Sequence, residues 1–216
     1  MPEAEGFRHD PRNADTGVFK GYELYYRIYR RSDMPDSDID STIESDMHSY
    51  FNGTDDFFAV SRDEMGDTGL SADTDEGYRR FYIEEIEERD NTIPLIGDFE
   101  TADLAQRFKV DINKADSAIF LSISESYFPY PEFELKRNAI SGSSSDFLSF
   151  TTNDEDYSPD DNDIVGIDSI ASTDDDDNVL IVAVFVVPYG IDKFSPIYAN
   201  GTSDDMTYIG YFEYQL

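Results

Sequence analysis

Residues 178–190 read Asn-Val-Leu-Ile-Val-Ala-Val-Phe-Val-Val-Pro-Tyr-Gly and form the only sustained apolar run in a very acidic chain. The run is short, rich in β-branched side chains, and lies between four consecutive Asp residues (174–177) and a Pro-Tyr-Gly sequence. These features predict a strand buried on both faces of a sheet. A buried helix is the alternative, but β-branched side chains lose χ1 freedom in a helix and Pro188 is expected to end the run.

The charge of the chain is its most informative bulk property. The 216 residues contain 48 Asp and Glu against 16 Lys and Arg, a formal net charge of −32 at pH 7. Self-repulsion on this scale weakens a compact fold in dilute buffer, whereas at 1 M salt the Debye length falls to roughly 3 Å. An Asp-rich, Lys-poor chain with acids spread from Asp33 to Asp205 predicts a halophilic, salt-adapted protein. The alternative is a moderately acidic protein with one disordered acidic loop.

Composition also excludes several classes of protein. The chain has no Cys, so a disulfide framework, a thiolate metal site and a cysteine nucleophile are excluded, while the redox compartment stays open. Nucleic acid and anionic membranes need a positive footprint that this chain lacks. No apolar run approaches the roughly 20 residues of a membrane span, and residues 1–18 contain no segment like a signal peptide. We therefore expect neither nucleic-acid binding nor direct insertion into a membrane.

Two early segments show clear periodicity. In residues 19–31, Leu24, Tyr26 and Ile28 alternate with more polar residues, which predicts a strand with one polar face. From about residue 35, Ile39 and Ile43 begin a helical spacing that continues to residue 51, with acids that suit the helix N-terminus. The Asn-Gly pair at 52–53 is expected to end this helix.

The remaining pattern is one of short strands separated by turn residues. Strands are predicted at 57–61, 109–112, 117–124 and 133–140, a short helix at 101–108, and a C-terminal hairpin of 196–199 with 206–214. Residues 78–88 fit either a helix or a strand, and the β-formers at 79–83 favour a strand. Residues 92–99 are expected to form a strand or a turn around Pro94. The predicted fold is mainly β: an antiparallel β-sandwich with one or two short helices. Residues 1–18 are expected to form an extended arm, and residues 19–216 a single domain with a long, exposed acidic excursion at about 141–178 that carries one or two edge strands.

Catalytic motifs are not recognisable in the sequence. His9 and His48 are the only histidines, and neither lies in a partner pattern for a catalytic triad or a metal site. Carboxylate pairs could run glycoside hydrolysis, but with 48 acids no pair stands out from solvated surface charge. We therefore expect a non-enzymatic protein.

Calcium is the one cofactor that the sequence suggests. Acidic clusters between residues 154 and 163 offer the hard oxygen ligands that Ca²⁺ prefers, although none matches the spaced calcium-binding loop with its Gly and terminal Glu. Nonspecific binding of hydrated Na⁺ or K⁺ is the alternative. The candidate ligands are Asp154, Asp156, Asp160, Asp161 and Asp163.

Arginine supplies most of the scarce positive charge, and five arginines concentrate in two predicted strands. One interpretation is a patch that binds an acidic partner or a sister subunit. The other is that each arginine pairs with neighbouring acids of the same chain. The five residues are Arg27, Arg30, Arg31, Arg79 and Arg80.

The segment Gly-Tyr-Glu-Leu-Tyr-Tyr-Arg at residues 21–27 resembles the third strand of fibronectin type III-like sandwich domains. More loosely, this strand, Gly-Tyr-Arg-Arg-Phe at 77–81, and the closing segments at 189–192 and 195–198 are similar to the layout of spirochaete-type envelope lipoproteins. The resemblance implies an extracytoplasmic, non-enzymatic surface module, and it identifies no site residues.

Three functions from different classes follow as hypotheses. The leading one is a β-sandwich module of the cell envelope or exterior that acts through a protein partner or self-association. The second is a jelly-roll capsid-like subunit of a halophilic virion, which would form symmetric oligomers. The third is a calcium-assisted hydrolase, which would bind calcium reversibly and stoichiometrically.

Overall fold

A computed structural model describes residues 7–8, 19–35, 38–53, 79–83, 93–94, 107–112, 118–124, 129–141, 144–151, 157, 179–192, 195–198 and 207–215. These residues form two antiparallel sheets, one α-helix and one 3₁₀ turn, so the predicted mainly β, sandwich-like fold is confirmed. The helix α1 spans Ile39–Gly53 and the 3₁₀ turn spans Arg31–Asp33. The strands are β1 (Phe7–Arg8), β2 (Phe19–Arg30), β3 (Arg79–Arg80), β4 (Ile93–Pro94), β5 (Arg107–Ile112), β6 (Ile119–Ser124), β7 (Pro129–Ser141), β8 (Ser144–Ser149), β9 (Val179–Asp192), β10 (Ser195–Tyr198) and β11 (Thr207–Gln215).

Strand β9 lies at the centre of a six-stranded sheet, here called the second sheet. One edge of β9 pairs with β2 over residues 180–190, and the other pairs with β11 over 179–186 and with β10 over 189–192. Strands β3 and β4 pair with the far edge of β2. Every residue from Leu180 to Val186 is buried. The predicted strand with two buried faces is confirmed.

Pro188 does not end this strand, contrary to expectation. It pairs with Tyr22 of β2 inside the ladder, and β9 continues to Asp192. On the opposite edge, pairing passes from β11 at Val186 to β10 at Tyr189, so Pro188 lies where the partner strand changes. A proline, which has no N–H to donate, is tolerated at such an interruption of the ladder.

The first sheet has the strand order β1-β5-β6-β7-β8. From β5 to β8 each strand pairs antiparallel with the next one along the chain, which makes a simple meander. The predicted pairing of 109–112 with 117–124 is confirmed, with Val110 opposite Leu121. Phe7–Arg8, within the predicted arm, pairs with β5 as an edge strand.

Residues 81–83 join the two sheets at one corner. The Phe81 N–H donates to the Leu24 carbonyl at 3.0 Å, which holds this segment on the second sheet. Tyr82 and Lys136 then exchange two backbone hydrogen bonds of 3.1 and 2.9 Å, which attach it to β7 of the first sheet. The Tyr82 ring stacks on Phe147 of β8 with centroids 3.6 Å apart. Of the strand favoured at 78–88, the described residues show the two-residue strand β3 and an isolated bridge at Tyr82, which together close one edge of the sandwich.

The hydrophobic core fills the space between the sheets. Alternate residues of β2 and β9 point into it, as the period-two pattern requires, and they meet residues of β5, β6 and β7. Its largest aromatic members form edge-to-face and tilted pairs at 4.7–6.0 Å between centroids. These aromatic residues are Tyr26, Phe81, Phe150 and Tyr214.

Helix α1 covers the opposite face of the second sheet, here called the outer face. Ile39, Ile43 and Met47 of the helix are buried, at the spacing the sequence predicted. Asp38 caps its N-terminus: its backbone carbonyl accepts the Thr42 N–H at 3.2 Å and its Oδ1 accepts the Ser41 N–H at 3.4 Å. The helix ends at Gly53, as predicted.

Two further predictions are wrong where the structure describes the chain: the helix that was to extend to Phe108, and the C-terminal hairpin. Arg107 and Phe108 belong to β5 and not to a helix, because Phe108 and Val110 alternate into the core. Residues 196–199 and 206–214 do not pair as a hairpin: the 14-residue strand β9 is long enough to pair with β10 and β11 separately.

The acidic excursion at about 141–178 follows the prediction only in part. Its first part forms the predicted edge strand β8, but the excursion is not exposed throughout. Phe150 and Tyr157 are buried in the core at 0% and 4% exposure, so aromatic burial anchors the segment at two points. The strand predicted at 57–61 lies outside the described residues.

Candidate functional site: the outer face of the second sheet

The outer face carries polar chemistry inside an otherwise apolar layer. Tyr25, Arg27 and Tyr29 of β2 point to this face and are all buried beneath α1. The side of β2 that the sequence predicts to be polar is therefore a buried layer beneath the helix. Arg27 Nη1 lies 2.9 Å from Asp46 Oδ2 of α1, and the Tyr29 hydroxyl donates to the same oxygen at 2.7 Å. One helix carboxylate thus binds two side chains of the sheet.

A second contact joins α1 to β11. The Tyr208 hydroxyl donates to Asp40 Oδ1 at 2.7 Å, and the Tyr208 ring packs against Phe185 with centroids 5.6 Å apart. Burial raises the pKa of Tyr208 far above its usual range, and the hydrogen bond to Asp40 and the charges of Asp40 and Glu44 act in the same direction. Tyr208 is therefore a neutral hydrogen-bond donor at any physiological pH.

The same region is partly open to solvent. Tyr208, Tyr211 and Glu213 of β11 are partly exposed, while Asp40 and Glu44 of α1 are exposed. Partial burial raises the pKa of Tyr211, the charges of Glu213 and Asp40 raise it further, and Arg31 lowers it. We call this group (Asp40, Glu44, Tyr208, Tyr211 and Glu213) the tyrosine-acid patch. Aromatic faces and carboxylates at one place suit the recognition of a cation.

The five arginines predicted to form an interaction patch lie in separate environments. Arg27 and Arg80 are on or near the outer face and buried, whereas Arg79 pairs with Tyr26 and is fully buried on the core side. Arg30 and Arg31 are partly exposed at the 3₁₀ turn. Arg30 Nε bonds Asp33 Oδ2 at 3.0 Å and Arg31 Nη1 bonds the Met34 carbonyl at 3.0 Å. The structure does not bring the five together into one surface, and two of them contact nearby acids.

Arg137 is a buried cation that the sequence analysis did not single out. It is 0% exposed on β7, and its guanidinium carbon lies 4.3 Å from the centroid of the Tyr157 ring. The Tyr157 hydroxyl donates to the Thr151 carbonyl at 2.9 Å, which fixes the ring in place. The sequence contains one indication of this burial. Arg137 follows the apolar Leu135 by two residues, so in a strand both side chains face the core.

The tyrosine-acid patch was also missed. Asp40 is one of the acids expected at the helix N-terminus, and Tyr208 and Tyr211 lie in the second segment of the predicted C-terminal hairpin. The sequence does show that Tyr211 and Glu213 alternate with the core residues Phe212 and Tyr214. It does not show the register shift between Tyr208 and Gly210 that places Tyr208 on the same face. Nor does the sequence show that α1 lies next to this strand.

Metal binding finds no support in the part of the chain that the structure describes: no group of three or more His, Cys, Asp or Glu residues is placed to hold an ion there. The predicted calcium ligands Asp154, Asp156, Asp160, Asp161 and Asp163 lie outside the described residues. His48 is exposed on α1, and His9 lies outside the described residues.

Among the described residues, α1 is too short and too polar to cross a membrane. Comparisons of the chain with protein-family models, with curated proteins and with solved structures found no match.

Proposed function

We propose that this chain is a non-enzymatic, salt-adapted β-sandwich module of the cell envelope or exterior that acts through its acidic surface on a protein partner or a second copy. The observation that carries the proposal is the placement of charge. The whole chain has 16 Lys and Arg residues. Among the residues that the structure describes, four cationic side chains are buried: Arg27, Arg79, Arg80 and Arg137. Their burial removes positive charge from a surface that is already short of it.

Such a surface favours two properties. Its exposed carboxylates repel one another in dilute buffer and are screened at molar salt, which supports salt adaptation. It also favours partners that present positive charge and disfavours anionic ones, because complementary potentials steer association. The resemblance of β2 to fibronectin type III-like strands is consistent with a surface module and stays a prediction.

The test is sedimentation velocity with far-UV circular dichroism at KCl concentrations from about 0.1 to 3 M, with and without calcium. The proposal expects a compact β-rich species that forms only at high salt and needs no calcium. Fractionation of the source cells then tests the location, with the envelope or medium expected. Full folding in dilute buffer would contradict the salt adaptation.

The same measurements separate the two alternatives. Discrete symmetric oligomers would favour the capsid-like subunit, although the meander of β5 to β8 lacks the Greek-key order of a jelly roll. Stoichiometric, reversible calcium binding would favour the calcium-assisted hydrolase, and loss of every calcium effect in molar KCl would exclude it.

A further inference from the structure

The last strand of the second sheet offers an edge for pairing. β11 is nine residues long and pairs with β9 along one side only, as far as the described residues extend. β10 lies on the same side of β9, so the two strands follow one another along this border of the sheet. The outer side of an edge strand presents a row of backbone N–H and C=O groups that can receive another strand.

The tyrosine-acid patch lies along this edge. Tyr208 is held by Asp40 and by Phe185, so its ring is fixed in position before any partner arrives. Glu213 lies further along the same strand on the same face, since it pairs with Ile181 where Tyr208 pairs with Phe185. The edge therefore combines backbone groups with aromatic rings and carboxylates.

We propose that β11 binds an extended, basic segment of a protein partner, which adds to the second sheet as a further strand. In this mode main-chain hydrogen bonds supply affinity and alternate side chains supply specificity. Arg or Lys side chains of the partner would lay their alkyl stems on Tyr208 and Tyr211 and reach the carboxylates of Glu44 and Glu213. The inference rests on the proposed function and names the surface and the partner that it would use.

Charge favours a basic partner over a second copy of this chain. Each copy carries a net charge of −32, and edge-to-edge pairing of two β11 strands would bring two acidic patches together. Like charges across an interface cost free energy and suppress the wrong partner. A charged residue on an edge strand also discourages the strand from pairing with identical copies. Glu213 is such a residue on β11.

The experiment titrates the full chain into a fluorescein-labelled peptide in which Arg alternates with Thr or Val, followed by anisotropy. KCl is held at 1 M, where the Debye length of roughly 3 Å suppresses long-range attraction to the acidic surface. The control peptide has the same composition except for a central Pro, which cannot join a ladder. Hydrogen exchange of residues 207–215 locates the bound peptide.

Two charge reversals of equal size separate local from general electrostatics. Glu213→Lys changes the edge strand, whereas Asp111→Lys changes a partly exposed acid on β5 of the first sheet. We expect Glu213→Lys to weaken binding about tenfold and Asp111→Lys to leave it within about twofold. We also expect slower exchange in β11 and no binding of the Pro peptide.

Four results would overturn the inference. Equal weakening by both reversals would mean nonspecific attraction, and equal binding of the Pro peptide would mean that no strand is added. Peptide protection elsewhere would leave the proposed interaction module in place but refute β11 as its site. A dimer whose β11 amides are protected without peptide would show that a second copy, and not a basic segment, occupies the edge.

Discussion

Arg27 of β2 and Asp46 of α1 form an ion pair of 2.9 Å that joins the outer face of the second sheet to the helix covering it. The Arg27 side chain is 5% exposed and the Asp46 side chain 38%, so the pair lies at the border between the buried layer and solvent. Arg27 also stacks on Tyr29, which donates to the same carboxylate. Asp46 is therefore a polar anchor of α1, beside the apolar contacts of Ile43 and Met47.

Asp46→Ala is expected to destabilise the fold by about 1.5–3 kcal/mol, the usual range for hydrogen bonds to charged groups. Removing the carboxylate takes away the Tyr29 hydrogen bond and the Arg27 ion pair together. The measurement is urea unfolding by circular dichroism in molar KCl. Glu44→Ala, which removes an exposed acid of the same helix, is the matched control and should change stability by less than about 0.5 kcal/mol. Equal effects of the two would refute the anchoring role.

Phe150 and Phe147 test the anchoring of the acidic excursion. Phe150 is 0% exposed and contacts Tyr26, Phe81 and Tyr214, so Phe150→Ala should cost about 3–5 kcal/mol. Phe147 is partly exposed and stacks on Tyr82, so Phe147→Ala should cost clearly less, about 1–2 kcal/mol. Thermal unfolding of both variants in the same buffer measures the difference. Similar losses would contradict the burial of Phe150 as the anchor.

Arg137 tests whether a buried guanidinium is needed for more than its charge. Arg137→Lys keeps the positive charge but loses the planar group that lies over Tyr157 at 4.3 Å, and Lys cannot reproduce that stacking. We expect a loss of about 1–3 kcal/mol. Arg31→Lys, at a partly exposed position of the 3₁₀ turn, should change stability by less than about 0.5 kcal/mol. A tolerated Arg137→Lys substitution would show that charge alone suffices.

Local pattern was enough to predict β9, β2 and α1, because burial and propensity agree along each of these segments. The β-branched run that begins at Val179 and the helical spacing of Ile39, Ile43 and Met47 carry their structure within a few residues. The predicted sandwich class follows from the number of such strands. Phe108 was assigned to the wrong element because only its two-residue alternation with Val110 decides between helix and strand there.

Contacts distant in sequence were not predictable in this way. The polar side of β2 is shielded from water because α1, which follows it in the chain, packs on it. Tyr29 of β2 binds Asp46 of α1, which lies 17 residues later in the sequence. Tyr208 and Asp40 are 168 residues apart, so no local pattern places them together. The Asn-Gly signal at 200–201 favoured a hairpin, but pairing of both segments with the long strand β9 prevailed. The tyrosine-acid patch is a product of these long-range contacts.

We expect Tyr214 to lower the stability of the fold at alkaline pH. Its side chain is 1% exposed in the core, and burial, with a smaller contribution from Tyr157, raises its pKa well above the ordinary value of 10.0. The folded state therefore holds the phenolic proton more tightly than the unfolded state. This contribution to stability is fully present below about pH 10 and is lost as pH rises further, because unfolding releases the proton.

Tyr214→Phe removes the ionisable group and should shift alkaline unfolding to higher pH relative to its own stability at pH 8. Circular dichroism, with tyrosinate absorbance at 295 nm, follows unfolding and ionisation together between pH 8 and 12. Tyr211→Phe is the control, since Tyr211 is partly exposed and can ionise with less disruption. If Tyr214→Phe and Tyr211→Phe shift the alkaline midpoint equally, burial of Tyr214 does not control the alkaline limit of the fold.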